Sequence, residues 1–189
     1  MIEHFSLDNI SKSASAFNTE KLIWLNQHYI KTMSPAEVGE ALAWHFAQMG
    51  INTEQGPALS DVVTIQVDRV KTLKEMAEIS TYFYQDFAEF DANAAKKHLR
   101  PVAKEALLLV KENLLALTEW TSENIQAAIN ATAETLEVGM GKVGMPLRVA
   151  STGSGNSPSL DVALVLLDQA KIGERIDKAL EFIANRENS

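Results

Sequence analysis

Apolar residues recur every three or four positions along most of the chain, which is the spacing of one face of an α-helix. The clearest helix start is at Ser34, where Ser-Pro-Ala-Glu combines an N-cap serine, a first-turn proline and the glutamate of a capping box. Further helix starts and a last amphipathic stripe follow the same rules at Thr72, Pro101, Thr121 or Ser122, Ser157 with Pro158, and residues 172–183. The pattern predicts helices from one end of the chain to the other.

One segment departs from this pattern. Residues 62–67 contain β-branched residues in alternation, which would support a strand. A single strand has no partner for its backbone groups, so we predict a helix here as well. The fold class is therefore expected to be all-α. An aromatic run ending at Phe90 gives way to the polar sequence Asp91-Ala92-Asn93, which predicts a seam between two packed helical subdomains near Phe90.

Composition excludes several classes of function. The 189 residues are 46% apolar and lack cysteine, which indicates a soluble globular protein of a reducing cytosol, with no disulfide, thiolate nucleophile or cysteine-ligated zinc. The four histidines are not spaced as metal ligands. The N-terminus lacks a signal sequence, and no apolar run reaches the roughly 20 residues of a membrane span. We therefore expect a cytoplasmic protein with no metal and no membrane partner.

The net charge of −8 argues against broad nonspecific nucleic-acid binding, but basic residues are clustered locally. One cluster contains Arg69, Lys71 and Lys74, and another contains Lys96, Lys97, His98, Arg100 and Lys104. Residues 138–160 contain no Asp or Glu, and five of the nine glycines lie between Gly139 and Gly155. Each feature alone is typical of an ordinary surface or an interdomain linker. Together they indicate a polyanion-binding face.

Nucleotide-binding and catalytic motifs do not fit this chain. Gly141-Lys142 is followed by valine where a phosphate-binding loop needs Ser or Thr, and Gly153-Ser-Gly155 lacks the third glycine of a dinucleotide fingerprint. No Ser/His/Asp set stands out. The carboxylates of Asp86, Glu89 and Asp91 are typical of a solvated face, and the aromatic residues between 82 and 90 are typical of a core.

Three segments, residues 13–30, 69–75 and 141–153, closely resemble the C-terminal part of bacterial glutamyl-tRNA synthetase, in that family's order and spacing. The resemblance covers essentially the whole chain. It implies an anticodon-binding domain of the class I synthetases, of the α-helix cage type. By this resemblance, residues 1–34 end a region that contacts the tRNA stem, and residues 35–90 and 91–189 form two anticodon-binding subdomains.

The resemblance also implies what this stretch lacks. The family's catalytic domain, with its sites for ATP and Mg²⁺, lies N-terminal to the matching region. We therefore expect a fragment that holds no cofactor and does not aminoacylate tRNA alone, although its parent is a glutamate–tRNA ligase. Its expected partners are tRNA(Glu) and the catalytic domain of the same enzyme, and we expect it to be a monomer.

The family's anticodon contacts can be transferred residue by residue. The resemblance implies that Arg69 reads the third anticodon base and that Arg148 makes another anticodon contact. Contacts at the start of the next helix match Ser157, Pro158 and Leu160. Lysines that could contact the tRNA backbone are Lys71, Lys74, Lys96, Lys97 and Lys142.

Two structural expectations and two alternatives accompany these assignments. We expect residues 141–158 to form a loop whose glycines let RNA approach the backbone, and Ser157 to cap the next helix. The alternative for Arg69 is a surface salt bridge with Asp68 or Glu75. The alternative function, suggested by the negative charge, is a helical protein-interaction module that has lost RNA binding.

Overall fold

The computed structural model describes residues 17–187 of the chain. Every regular element within these residues is helical, so the predicted all-α fold is confirmed. The α-helices are α1 (Thr19–Thr32), α2 (Pro35–Gln48), α3 (Leu59–Gln66), α4 (Leu73–Ile79), α5 (Ala92–His98), α6 (Lys104–Leu115), α7 (Ser122–Thr135), α8 (Gly141–Thr152), α9 (Leu160–Val165) and α10 (Gln169–Glu187). Short 3₁₀ helices are present at Thr81–Phe83 and Pro101–Ala103. Residues 1–16, which include the start of the first family-like segment and most of the predicted stem-contact region's first half, lie outside the described residues.

The helix starts predicted from capping residues are largely where the sequence placed them. The Ser34 hydroxyl accepts a hydrogen bond from the Glu37 N–H at 3.3 Å, and the Ser34 N–H donates to the Glu37 carboxylate at 3.1 Å. Thr72 likewise accepts from the Glu75 N–H at 3.1 Å, but the Glu75 carboxylate accepts from the Lys71 N–H instead of completing the box. These contacts satisfy backbone donors that a helix start otherwise leaves unpaired.

Residues 62–67 belong to α3 and the turn after it, so the prediction of a helix was correct. The two adjacent valines of α3 are both buried, and each belongs to a different hydrophobic cluster. Val63 belongs to the smaller cluster, and Val62 belongs to the larger one. α3 is therefore buried on two sides, which explains why its β-branched residues are held in a helix despite their strand propensity.

The buried apolar residues of the described chain form two hydrophobic clusters. The smaller one consists of Ile30, Val38, Leu42, Phe46, Ile51, Val63, Val70, Met76 and Ala77. The larger one is formed by residues of α5 to α10, together with Val62, Tyr82, Phe83, Leu99 and Leu167. Tyr84 packs against both. The boundaries at residues 34 and 90 stay predictions.

The expectation that residues 141–158 form a loop was wrong for most of the segment, because residues 141–152 are α8. Val143, Leu147 and Val149 of this helix are fully buried. Burying such a side chain contributes about 1.5–3 kcal/mol, whereas an interior glycine costs about 1 kcal/mol of helix propensity. Pro146 also lies inside α8, where it leaves the Lys142 carbonyl without its usual intrahelical donor. Tertiary burial therefore outweighs the local glycine and proline content.

Candidate functional site

Arg69 lies in the turn after α3, where its backbone N–H donates to the Gln66 carbonyl at 2.9 Å. Its exposed guanidinium donates from Nη2 to Asn156 Oδ1 at 2.5 Å. Asp68, the salt-bridge partner considered for Arg69, pairs instead with Lys31 at 2.8 Å. Arg69 is thus held against the segment between α8 and α9, which is 87 residues away in the sequence.

Arg148 projects from α8 toward the same segment. Its Nη1 donates to the Ser157 carbonyl at 3.0 Å and to the Pro158 carbonyl at 2.6 Å, and it also contacts the Ser157 hydroxyl. Its half-buried position, together with the nearby positive charge of Arg69, lowers the pKa of the guanidinium. The two predicted anticodon-reading arginines therefore lie near each other, and both bind residues 156–158.

A cleft of about 310 Å³ lies beside Arg69. Its polar and aromatic lining comes from four parts of the chain: Gln66, Arg69, Glu78, Thr81, Tyr82, Phe87, Glu89, Thr152, Ser154, Asn156 and Ser157. We call this site the Arg69 cleft. Because two exposed carboxylates, Glu78 and Glu89, stand beside a single arginine, the cleft suits an uncharged hydrogen-bonding group better than a phosphate.

The predicted contacts at the start of α9 lie mostly inside the protein. Ser157 and Leu160 are each 7% exposed, and Pro158 is buried. Leu160 belongs to the larger hydrophobic cluster, whereas Ser157 lines the Arg69 cleft. The structure therefore places only Ser157 of these three at the cleft.

The expected role of Ser157 as a helix cap was wrong. α9 begins at Leu160 with Ser159 as its N-cap residue, and the Ser157 hydroxyl instead donates to the Pro158 carbonyl at 3.0 Å. Ser159 contacts the Asp161 carboxylate in the first turn of α9. The physical reason is the contact with Arg148 of α8. The Ser157 hydroxyl oxygen already accepts a hydrogen bond from Arg148, so it is not available to cap α9.

The predicted backbone-contacting lysines are not on one surface feature. Lys97 and Lys142 line a second, smaller cleft of about 190 Å³ together with His98 and Arg100. Partial burial and the neighbouring charges of Lys97 and Arg100 lower the pKa of His98. We call these four residues the Lys142 cluster. It joins residues that the sequence had placed in separate basic and glycine-rich segments.

The other three lysines lie elsewhere. Lys96 borders a large groove formed with α10, and Lys71 lies beside Trp24 of α1. Lys74 is 3.9 Å from the Glu78 carboxylate in an exposed i,i+4 pair. Exposed pairs of this kind contribute little to stability, so Lys74 remains accessible to a polyanion.

Arg175 of α10 is a residue that sequence reasoning missed. It is 1% exposed, and its guanidinium donates to the Ser151 carbonyl at 2.6 Å, the Tyr82 carbonyl at 2.8 Å and Asp86 Oδ1 at 3.0 Å. Asp86, which the sequence predicts to lie on a solvated face, is exposed but also pairs with this buried cation. The available signal was one arginine within the apolar stripe formed by Ile172, Ile176 and Ala179.

Burial tends to raise the pKa of Asp86, but hydrogen bonding to Arg175 and the charges of nearby cations outweigh it and lower the pKa overall. Arg175 therefore joins α10 to the backbone carbonyl of Tyr82, and Tyr82 is one of the residues that line the Arg69 cleft. Between residues 17 and 187, no group of three or more His, Asp or Glu side chains is arranged to hold a metal ion. No helix in this range is both long and apolar enough to cross a membrane.

Comparison with known proteins agrees with the sequence resemblance. Residues 29–180 match the family model described as the anticodon binding domain. A crystal structure of a glutamate tRNA ligase from Elizabethkingia meningosepticum CCUG26117, in complex with its amino acid, is 26% identical with a TM-score of 0.83. The match covers 96% of this chain and 36% of that one.

A second structure, the glutamate-tRNA synthetase from Elizabethkingia anophelis, is 27% identical with a TM-score of 0.78 over 95% of this chain and 35% of that one. The chain thus spans about a third of the length of both ligases. These matches confirm the resemblance to the C-terminal anticodon-binding region of glutamyl-tRNA synthetases and the fold that it implied. The family model covers most of the chain, and the chain accordingly belongs to the anticodon-binding-domain family.

Proposed function

We propose that this chain reads the anticodon of tRNA(Glu) as part of a ligase that attaches glutamate to that tRNA with ATP. The observation that carries the proposal is the meeting of Arg69 and Arg148 on residues 156–158, beside one polar cleft. The two arginines are far apart in the sequence and lie on different elements. Their convergence gives the family's two anticodon-reading positions a common site.

In the proposed complex, Arg69 reads the third anticodon base. Bases splayed from an RNA loop expose their Watson–Crick edges to side chains. An arginine offers only donors, whereas cytosine presents the O2 and N3 acceptors on that edge and guanine presents N1–H and N2–H donors. Arg69 therefore favours the terminal C of glutamate anticodons over the terminal G of glutamine anticodons. A mispaired buried group costs about 1–3 kcal/mol, which corresponds to roughly tenfold to a hundredfold discrimination.

Arg148 holds the segment of residues 157–158, of which Ser157 lines the cleft. Its bonds to Ser157 and Pro158 hold the segment that carries Asn156, and the remaining guanidinium N–H groups are proposed to contact the RNA. Ser157 contributes from the cleft lining, while Pro158 and Leu160 support the segment from the protein interior. Any contact that Pro158 and Leu160 make with a base requires that base to approach the start of α9 closely.

The Lys142 cluster is the proposed contact for backbone phosphates. Lys97, Arg100 and Lys142 place three cationic side chains around one small cleft, and the acid-free stretch of residues 138–160 adds no repelling carboxylate there. Lys71, Lys74 and Lys96 are proposed as further, separate phosphate contacts. A local cationic cluster attracts phosphates even on an acidic protein, since exposed charges are screened within about 8 Å at physiological salt.

The remaining properties of the ligase are proposed for the protein of which this chain is part. ATP and Mg²⁺ are proposed to bind in the catalytic domain, which this chain does not span. The chain alone is proposed to be a cytoplasmic monomer without aminoacylation activity. Its contribution to the ligase is the choice of tRNA.

The variant Arg69→Gln tests the assignment of the third-base contact. A glutamine offers both a donor and an acceptor, so it can pair with guanine as well as with cytosine. We expect the preference for the anticodon stem-loop of tRNA(Glu) over that of tRNA(Gln) to fall about tenfold or more, measured by fluorescence anisotropy. Lys21→Gln, which removes one exposed positive charge from α1, is the matched control and leaves the preference unchanged. An unchanged preference in Arg69→Gln would refute this role.

A further inference from the structure

Two side chains that line the Arg69 cleft carry polar atoms without a partner. Gln66 is 1% exposed and Tyr82 is 5% exposed. The Gln66 Nε2 donates to the Ser80 hydroxyl at 3.2 Å, but its Oε1 and the Tyr82 hydroxyl have no hydrogen-bond partner in the part of the chain that the structure describes. One acceptor and one hydroxyl group are therefore unpaired on residues that line the same cleft.

Unpaired buried polar groups are rare in folded proteins, because each forfeits its hydrogen bonds to water. Leucine or phenylalanine at these two positions would avoid this loss. Ser151 Oγ is also buried and unpaired in the described chain, but Ser151 does not line the cleft. The presence of both Gln66 and Tyr82 at one cleft therefore points to a ligand that supplies the missing hydrogen bonds.

We infer that Gln66 and Tyr82 form the floor of the base site in the Arg69 cleft and select cytosine there. This inference rests on the proposed function of the cleft. The Watson–Crick edge of cytosine has one donor, the N4 amino group, and two acceptors, N3 and O2. The residues that line the cleft carry one unpaired acceptor, Gln66 Oε1, and two donors, the Tyr82 hydroxyl and the Arg69 guanidinium. The two sets are complementary.

The environment of Tyr82 keeps its hydroxyl protonated and able to donate. Burial raises the pKa of Tyr82 well above its ordinary range, and the charges of Arg69 and Arg148 only partly oppose this effect. The backbone carbonyl of Tyr82 accepts a hydrogen bond from the buried Arg175 at 2.8 Å. Arg175 thus holds the backbone of the residue that carries the hydroxyl.

Gln66 performs a task that Arg69 cannot. Uracil has the O4 acceptor where cytosine has the N4 amino group, and it has an N3–H donor where cytosine has the N3 acceptor. Both pyrimidines present O2. A donor from Arg69 at O2 fits either pyrimidine, and the Tyr82 hydroxyl can donate to the cytosine N3 or accept from the uracil N3–H. Arg69 at O2 therefore rejects guanine but separates cytosine from uracil poorly. The Gln66 Oε1 acceptor pairs with the cytosine amino group and opposes the uracil O4. We assign the discrimination between the two pyrimidines to Gln66.

The Gln66 Oε1 and the Tyr82 hydroxyl are both nearly inaccessible to solvent. A base must therefore displace the groups that cover these two atoms before it can contact them. The exposed hydrogen bond between Arg69 and Asn156 joins two walls of the cleft. A solvent-exposed contact of this kind is worth little, since water replaces it readily. We expect it to break when the base enters, which also frees Arg69 to contact the base.

The test uses three anticodon stem-loops of tRNA(Glu) that differ only in the third anticodon base, C, U or G. We expect the wild-type chain to bind the C loop about tenfold more tightly than the U loop. Gln66→Met keeps the side-chain volume but removes the acceptor, so the C-to-U ratio is expected to fall toward one while C remains preferred over G. Ser151→Ala, which also removes an unpaired buried hydroxyl, is the control and leaves both ratios unchanged.

Tyr82→Phe gives a second readout that does not depend on Gln66. It removes an unpaired hydroxyl, so we expect the melting temperature to stay the same or to rise, while affinity for the C loop falls about threefold to tenfold. A merely structural role for Tyr82 would leave that affinity unchanged. Circular dichroism establishes whether each variant is folded. If Gln66→Met does not fold, the result for Tyr82→Phe decides the inference.

The outcomes separate this inference from the proposed function. A wild-type chain that does not prefer C over G overturns the proposed function, and the inference with it. A wild-type preference for C over G, combined with an unchanged C-to-U ratio in folded Gln66→Met, overturns the inference alone. Unaltered affinity of Tyr82→Phe for the C loop removes Tyr82 from the proposed floor.

Discussion

At the scale of single residues, Arg175 links the core to the candidate site. A buried cation is tolerated only where hydrogen bonds and an opposite charge compensate for the loss of water. Arg175 meets this requirement through the carbonyls of Tyr82 and Ser151 and through the carboxylate of Asp86. These partners lie on different segments, so one side chain fixes α8 and α10 relative to the segment that carries Tyr82.

Replacing Arg175 with methionine tests this structural role. We expect a loss of about 3 kcal/mol or more in the free energy of unfolding, because two buried carbonyls and a carboxylate lose their donor. Lys171→Met is the matched control, since Lys171 lies 3.8 Å from the same Asp86 carboxylate but is much more exposed. Its expected loss is below about 1 kcal/mol. Equal losses in the two variants, measured by urea unfolding, would contradict the role of Arg175.

The residues of the candidate site were predictable to different degrees. Arg69 and Arg148 could be named from the family-like segments, but nothing in those segments indicates that Asn156 and Ser157 hold them. Arg175 was visible only as one cation in an apolar stripe, and its partner Asp86 resembled a surface carboxylate. Side-chain partners that are some 90 residues apart depend on how helices pack, which local sequence does not encode.

At the scale of elements, α8 shows where local signals fail. Capping residues and apolar periodicity predicted most helices correctly, because both signals act within a few residues. In residues 141–152, glycine and proline suppress those signals, and the helix forms because its apolar face packs against α6 and α10. The start of α9 was misplaced by two residues for a related reason, since Ser157 and Pro158 resemble a helix start but are held by Arg148.

Two glycine-to-alanine variants at α8 are expected to change stability in opposite directions. A Cβ at Gly144 would meet no atom within 4 Å, so Gly144→Ala gains helix propensity and stabilises the chain by about 1 kcal/mol. Gly153 ends the helix with φ of +74°, and a Cβ there would lie 2.8 Å from the Phe87 ring. Gly153→Ala is therefore expected to cost about 1–3 kcal/mol. Thermal unfolding of both variants measures the difference, and shifts of the same sign would contradict this description of α8.

At the scale of the whole molecule, an acidic chain carries the two local sites that we propose contact RNA. The Arg69 cleft combines an arginine with uncharged hydrogen-bonding groups, and the Lys142 cluster gathers cations from α5, α8 and the turn between α5 and α6. The all-α class followed from the sequence pattern alone. The proximity of Lys97 to Lys142 required the packing of α5 against α8. The meeting of residues 66–69 with residues 154–157 depended on α3, which contributes to both hydrophobic clusters.

The most direct test of anticodon reading is an anisotropy titration of the wild-type chain with the anticodon stem-loops of tRNA(Glu) and tRNA(Gln) at two salt concentrations. We predict tighter binding of the glutamate stem-loop. We also predict an affinity that falls with salt by about 0.7 log units per tenfold increase for each phosphate contact. Equal affinity for the two stem-loops, or no binding by the folded chain, would contradict anticodon reading by this chain and favour the helical protein-interaction module.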